Sequence, residues 1–301
     1  MTNKSGFVSI IGMPNVGKST LLNALIGQEI SIVTSKPQTT RNNITGIYTK
    51  DNIQIIFLDT PGILKPKYQL QNLMKHEIQV SVIDADIILL VVDSSKYDSS
   101  SIDEILADFK NDLNKHASFC ILNKIDLVNK GEILHVISDI SRKYNFTEIF
   151  PVSARKGFNV ENLLDYIIDK LPEHPFFYHG DNISDQPVKF FVSEIIRGAA
   201  MNVLREELPF SVCVEIEEFS EREFGKDYIK AKLILDRESH KKILIGKDGR
   251  MLTKIGTKSR IKIEEFLQKN IYLDLFVDVK ENWKNDKSFL RTHFKKQNFI
   301  S

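Results

Sequence analysis

The sequence predicts two joined folds: an α/β domain built on a mostly parallel sheet, followed by a smaller α+β unit. Three observations carry this reading. Strand-like and helix-like runs alternate from residue 7 to residue 171. The glycine-rich stretch GMPNVGKS, Gly12 to Ser19, lies between the first strand-like run and the first helical run. After a proline-rich break the order becomes α-β-β-α-α-β, with a second glycine loop between the last two helices.

The elements follow in order. Residues 7–11 (FVSII) are a short apolar run, read as a buried strand. Lys18 to Ile26 reads as a helix closed by Gly27. Ile44–Thr49 and Ile53–Leu58 are β-rich and separated by an Asp51-Asn52 turn, which predicts a hairpin. Further strands are expected at Ile87–Val92, Phe119–Leu122 and Ile149–Val152. Helical patterns separate them at about Leu70–Ile83, Ile102–Leu113, Ile133–Tyr144 and Val160–Leu171. Residues 172–187 carry three prolines and little periodicity, so they are read as a linker between domains at 1–171 and 188–301. The second segment then reads helix (about Val188–Glu206), strand (Ser211–Phe219), strand (Tyr228–Leu235), helix (about His240–Ile245), Gly246–Gly249, helix (Arg250–Gln268) and strand (Tyr272–Val279).

Composition narrows the class. A chain of 301 residues is long enough for two cores, and 42% apolar with 27% charged residues is a globular composition. No apolar run approaches the roughly 18 residues of a membrane span, and the N-terminus lacks the plan of a signal peptide. Cys120 and Cys213 both sit in apolar, β-rich segments and are read as buried, reduced thiols of a cytoplasmic protein. The seven histidines show no metal-ligand spacing. The net charge of +1 hides an asymmetry: residues 241–301 hold 15 Lys and Arg against 7 Asp and Glu. A basic C-terminal third points to a polyanionic partner.

GMPNVGKS matches the pattern G-x-x-x-x-G-K-[ST] in the strand-to-helix context that the pattern requires. The loop Gly12, Asn15, Val16 and Gly17, with Lys18, Ser19 and Thr20 opening the helix, offers converging backbone N–H groups to phosphates. Lys18 is assigned to the β- and γ-phosphates and Ser19 to Mg²⁺. NKID follows the Phe119–Leu122 strand. There Asp126 can accept both N–H groups of a guanine edge, Lys124 can lie along the base, and Asn123 can tie back to the phosphate loop. In SAR, the Ala154 N–H beside Ser153 is placed to meet the guanine oxygen. DTPG supplies Asp59, holding Mg²⁺ through water, and Gly62, whose N–H senses the γ-phosphate. In PQTTR, Thr40 is preferred to Thr39 as a second hydroxyl on Mg²⁺. Lys18, Thr40 and Gly62 thus form the expected catalytic set, and loops that respond to the γ-phosphate make a switch.

The ordered set GMPNVGKS, TTR, DTPG, NKID and SAR resembles a translation-factor-class small GTPase. Ile63 stands where Ras-like relatives carry a glutamine that orients the attacking water, so the chain resembles the subgroup with a hydrophobic residue there. Slow intrinsic hydrolysis is expected. Asn15 matches the asparagine with which some members hold a monovalent cation, which implies K⁺ as a second ion. Arg41 is read as a solvated loop arginine rather than an arginine finger.

In the second segment, ILIGKDGRMLTKIG places Gly246, Lys247, Asp248 and Gly249 between two helices. A loop without bulk lets a sugar-phosphate backbone approach the next helix start, the arrangement by which KH modules clamp single-stranded RNA. Lys254 and Lys258 extend one helical face from Arg250, while Leu252, Ile255, Ile263 and Phe266 supply buried positions. Arg260 and Lys262 fall on other flanks. Trp283 is read as a packing residue rather than a base-stacking one. The order resembles a type II KH domain. A GTPase of this loop signature joined to such a domain resembles the Era family of bacterial ribosome-assembly GTPases, over nearly the whole chain.

The resemblance implies a GTP/GDP switch that binds the 3′ end of 16S rRNA, assists maturation of the 30S subunit, and makes a peripheral contact at the inner face of the membrane. A constitutive RNA-binding assembly protein with a structural nucleotide is the alternative. A GTPase partnering an RNA-modifying enzyme is disfavoured by the G-x-x-G unit. The tail FKKQNFIS has no place in the family pattern.

Overall fold

The computed structural model describes residues 2–294 except residue 114, so the tail beyond Phe294 lies outside the described residues. The chain divides into two compact units, Met1–Pro66 with Gln71–Asp185, and Lys67–Leu70 with Gln186–Ser301.

In chain order the elements are β1 (Lys4–Ile11), α1 (Lys18–Ile26), β2 (Ile44–Lys50), β3 (Ile53–Asp59), α2 (Gln69–Ile83), β4 (Ile87–Asp93), α3 (Ser99–Leu113), β5 (Ala117–Asn123), α4 (Lys130–Lys143), β6 (Glu148–Pro151) and α5 (Val160–Lys170). Then come α6 (Val188–Val203), α7 (Leu208–Ser211), β7 (Cys213–Ser220), β8 (Asp227–Leu235), α8 (Glu238–Ile245), α9 (Arg250–Leu267), β9 (Ile271–Val279) and α10 (Lys287–Phe294).

The first sheet runs β2-β3-β1-β4-β5-β6. β2 pairs antiparallel with β3, and the remaining neighbours pair parallel. β4 reads IILLVVD and is buried along its whole length, as a strand covered on both faces must be. One face packs on α2, α3 and α4 through Ile78, Val82, Ile105, Phe109 and Ile140. Residues 173–184 pack within the first unit: Glu173 bridges to Lys4, the Gln54 side chain accepts from the N–H groups of Phe177 and Tyr178, and the Ile47 N–H donates to the Ile183 carbonyl.

The second unit is a three-stranded sheet, β7-β8-β9, with β7 and β8 antiparallel and β8 and β9 parallel. α6 and α9 cover one face, closing a core of Val192, Ile196, Ile229, Ala231, Ile263 and Ile271. Most boundaries fall within one or two residues of the sequence reading, and the largest departure lies between α6 and β7. α6 stops at Val203, and the expected strand start at Ser211 belongs instead to α7, because Pro209 pre-sets a helical φ at the beginning of a short turn. Phe266, expected to be buried, is 37% exposed, although its ring tilts against Phe191 at 5.5 Å. Trp283 is fully buried and donates through Nε1 to the Ser211 carbonyl at 3.1 Å, as a packing residue does.

Candidate functional site

β1 lies between β3 and β4, so the strand order reverses at β1 and leaves a crevice beyond the carboxyl ends of the strands. The Gly12–Gly17 loop fills that position, and α1 begins at Lys18. Gly17 has φ of 102°, and a Cβ there would meet Asn123 Nδ2 at 2.2 Å, so a side chain is excluded by both torsion and space. α1 carries no side-chain cap, which leaves its first-turn N–H groups to a ligand. Lys18 Nζ donates to the carbonyls of Gly12 and Met13, at 3.0 Å each. Burial pulls its ammonium down to about 8, with the Asp59 carboxylate opposing.

Asp59 ends β3 and is fully buried. Its Oδ2 accepts from Ser19 Oγ at 2.6 Å, Ser31 Oγ at 2.8 Å and Thr40 Oγ1 at 3.4 Å, and the Ser19 and Thr40 hydroxyls lie 3.0 Å apart. The Thr39 hydroxyl turns away, to the Lys36 carbonyl at 2.7 Å. Among the described residues Asp59 Oδ1 has no hydrogen-bond partner. Burial pushes the carboxyl up, and the Ser19 bond, the Lys18 charge and the other hydroxyls pull it back. A buried carboxylate with an unpaired oxygen beside two hydroxyls is a set of hard oxygen donors that fits a divalent cation.

The DTPG loop crosses the phosphate loop. A Cβ on Gly62 would lie 2.8 Å from Pro14 Cα, and the Ile63 N–H donates to the Gly12 carbonyl at 3.1 Å. The Ile63 side chain is buried. Asn15 Nδ2 donates to the Ser35 carbonyl at 3.1 Å. Arg41 departs from the sequence reading: it is 4% exposed, not solvated.

The base-side residues converge on the same crevice. Asn123 Nδ2 donates to the Val16 carbonyl at 2.9 Å, tying NKID to the phosphate loop. Its Oδ1 accepts from the Ala154 N–H at 3.0 Å. Ala154 therefore reaches a guanine oxygen only by sharing or exchanging that bond. Ser153 Oγ donates to Asp126 at 2.7 Å, the leading cause that holds the Asp126 carboxyl below the usual range. Lys124 Nζ donates to the Asn15 carbonyl and to Asp93, each at 2.6 Å. Thr20 follows Ser19 in the first turn of α1. Sequence reasoning missed Asp93 and Ser31. The motif VVDSS, an acid closing a buried strand, is the signal for Asp93. Ser31 has none, because it reaches Asp59 only through the fold.

The second unit holds the other glycine loop. α8 ends at Gly246, with φ of 74°, where a Cβ would sit 2.9 Å from Met251 Cβ. Gly249 caps α9 with φ of 72° and offers no side-chain cap bond, so the α9 first turn presents N–H groups as the α1 first turn does. Lys247 and Asp248 are exposed at the turn, and Lys254 and Lys258 are exposed along α9. Arg260 pairs with Glu264 at 2.8 Å.

Residues 7–124 match the family described as 50S ribosome-binding GTPase, and residues 207–284 match the KH domain family. The chain is 42% identical over 292 residues to GTPase Era of Ruminiclostridium cellulolyticum, covering 97% of each chain. It is 40% identical to the chloroplastic GTPase ERA-like protein of Arabidopsis thaliana, covering 96% of this chain and 68% of that one. Among solved structures it is similar to Era in complex with MgGDPNP and nucleotides 1506–1542 of 16S ribosomal RNA. The TM-score is 0.93 at 38% identity, over 97% of this chain and 98% of that one.

Proposed function

The chain belongs to the Era family of GTPases, and on that premise we propose that GTP hydrolysis here times the holding of the 3′ end region of 16S rRNA during maturation of the 30S subunit. We assign nucleotide chemistry to residues 1–171, a linker to 172–187 and RNA binding to 188–301. The observation that carries the reading is the cluster of half-buried Ser19 with buried Thr40 and Asp59 beside Lys18, assembled from three separate segments.

Ser19 Oγ, Thr40 Oγ1 and, through water, Asp59 would hold Mg²⁺, which when bound neutralises charge on the phosphate oxygens. Lys18 exchanges its carbonyl partners for β- and γ-phosphate oxygens. The α1 first turn and the loop Gly12, Asn15, Val16 and Gly17 surround them. Asp126 accepts the two guanine N–H groups and selects the base, since adenine would leave the carboxylate unpaired. The Gly62 N–H reads the γ-phosphate. The buried Ile63 offers no base, so intrinsic hydrolysis is slow. Asn15 is the residue to hold K⁺, and equal turnover in Na⁺ and K⁺ would remove that assignment.

Gly246, Lys247, Asp248 and Gly249 form the backbone grip on single-stranded RNA, with Lys254 and Lys258 reaching phosphates. A relative crystallised with both MgGDPNP and the 16S fragment supports joining the two activities in one chain. A peripheral contact with the inner face of the cell membrane belongs to the same proposal, and co-sedimentation with anionic vesicles tests it. Among the described residues no helix is long and apolar enough to cross a membrane.

The deciding experiment measures affinity for the 3′-end RNA fragment with GDP and with a non-hydrolysable GTP analogue at one fixed salt concentration. Tighter binding with the analogue is expected. Equal affinities would leave a constitutive RNA-binding protein with a structural nucleotide. Gly249→Asp should weaken RNA binding about tenfold or more while sparing basal hydrolysis, because it adds a negative charge where the phosphate backbone approaches.

A further inference from the structure

α6 and α9 cover one face of the β7-β8-β9 sheet; on the other, Cys213 and Ile234 are buried at the end where His293 of α10 lies 3.7 Å from Glu215, and among the described residues the rest of that face is open. Register places Tyr228, Lys230 and Lys232 of β8 beside Tyr272, Asp274 and Phe276 of β9 on that open face. Tyr272 is 60% exposed and Phe276 41% exposed, large apolar surfaces for one small sheet. The Tyr228 and Tyr272 rings stack at 5.9 Å with an interplanar angle of 16°. Lys230 Nζ lies over the Phe276 ring at 4.9 Å, so this aromatic surface already receives a cation.

Charge decides what such a face can hold. Exposed aromatic rings on a sheet suit either the bases of a single strand or the side chains of a protein. Both lysines are spent on one carboxylate: Glu217 takes Lys230 at 2.9 Å and Lys232 at 2.6 Å. With Glu217, Asp274 and Asp278 set three carboxylates around the rings against these two lysines, while Glu215 faces His293 of α10 at 3.7 Å. Asp278 sits 3.8 Å from Lys232 with a half-exposed side chain, and Asp274 accepts the Tyr228 hydroxyl at 3.3 Å. A phosphate backbone would be repelled here, whereas it meets Lys247, Lys254 and Lys258 at the glycine loop. The unit thus has a basic loop with α9 and, on the exposed part of its sheet, an acidic aromatic face.

We propose that this sheet face is a docking surface for a lysine- and arginine-rich segment of a partner protein. Its cations would lie over the Tyr272 and Phe276 rings and pair with Asp274 and Asp278. The inference does not depend on the RNA reading, because it uses none of the residues of the glycine loop.

The test uses the full chain and a fluorescently labelled lysine/arginine peptide, with anisotropy read at one fixed salt concentration. Two variants are compared with the parent: Asp274→Lys with Asp278→Lys, and Tyr272→Ser with Phe276→Ser. All four residues belong to β9 of the second unit and none is part of either glycine loop, so nucleotide hydrolysis should be unchanged and serves as the folding control. Each double variant should weaken the peptide about tenfold. Loss with the charge reversal but not with the aromatic substitutions would mean a non-specific counterion effect and overturn the proposal. Weakened binding of the 16S fragment by the aromatic variant, with the peptide unaffected, would make the face an RNA platform instead. A concentration-dependent dimer of the parent, lost in both variants by sedimentation, would assign the face to a second copy of this chain and equally overturn the proposal.

Discussion

Asn123→Ala tests how the two halves of the nucleotide site are joined. The side chain is 2% exposed and makes two bonds, Nδ2 to the Val16 carbonyl at 2.9 Å and Oδ1 from the Ala154 N–H at 3.0 Å. Alanine leaves both backbone groups without their partner. An unpaired buried group costs about 1–3 kcal/mol, so the pair costs about 2–6 kcal/mol before relaxation. Water entering the vacated space should recover part of this, leaving about 2–4 kcal/mol. Both groups belong to loops that close around the ligand, so the loss should fall on binding: GDP affinity drops about 30- to 700-fold. Competition against a fluorescent GDP analogue measures it, with the melting temperature of the nucleotide-free protein as control. Asn123→Asp keeps the acceptor for Ala154 but sets an anionic oxygen against the Val16 carbonyl, and should be at least as damaging. GDP affinity within about twofold of the parent for Asn123→Ala would refute the latch.

Three further outcomes follow from the same geometry. Gly62→Ala puts a Cβ 2.8 Å from Pro14 Cα and 2.9 Å from Pro14 N, backbone atoms that cannot rotate aside. Overpacking of about 1–3 kcal/mol should slow single-turnover GTP hydrolysis about tenfold while GDP affinity holds, and an unchanged rate would contradict the contact. Trp283→Ala removes a fully buried indole and its bond to Ser211, and should cost the second unit about 3–5 kcal/mol in urea unfolding followed by circular dichroism. A loss under about 1 kcal/mol would mean that the ring is not structural. The Lys143 and Tyr97 hydrogen bonds hold the Asp139 carboxyl down to about 2, below its ordinary 3.8. A native value below the unfolded one means stability that is complete above about pH 4 and lost as pH falls toward 2. Asp139→Asn should therefore melt lower than the parent at neutral pH, with the gap closing across that window. A gap independent of pH would show that charge is not its source.

What the sequence by itself determined was whatever rests on local spacing. The hairpin at Ile44–Asp59, the helix closed by Gly27 and the apolar run of β4 are written in two β-rich runs around an Asp51-Asn52 turn, in a glycine stop and in continuous burial. The motif residues were legible for a related reason: a loop that wraps phosphate needs glycine and a cation at set offsets along one chain. The preference for Thr40 over Thr39 rested on the sequence, and the geometry puts the Thr40 hydroxyl beside Ser19 and Asp59.

Tertiary structure alone decided what depends on groups far apart in the chain. Ser31 joins Asp59 across 28 residues, and Asp93 holds Lys124 across 31. Arg41 reads as a polar loop residue, yet the fold closes over it. The commitment of the Ala154 N–H to Asn123 and the acidic surplus around Tyr272 and Phe276 likewise arise from strand register. Register brings side chains together only after the long-range pairing is made, and no short stretch of sequence encodes that step.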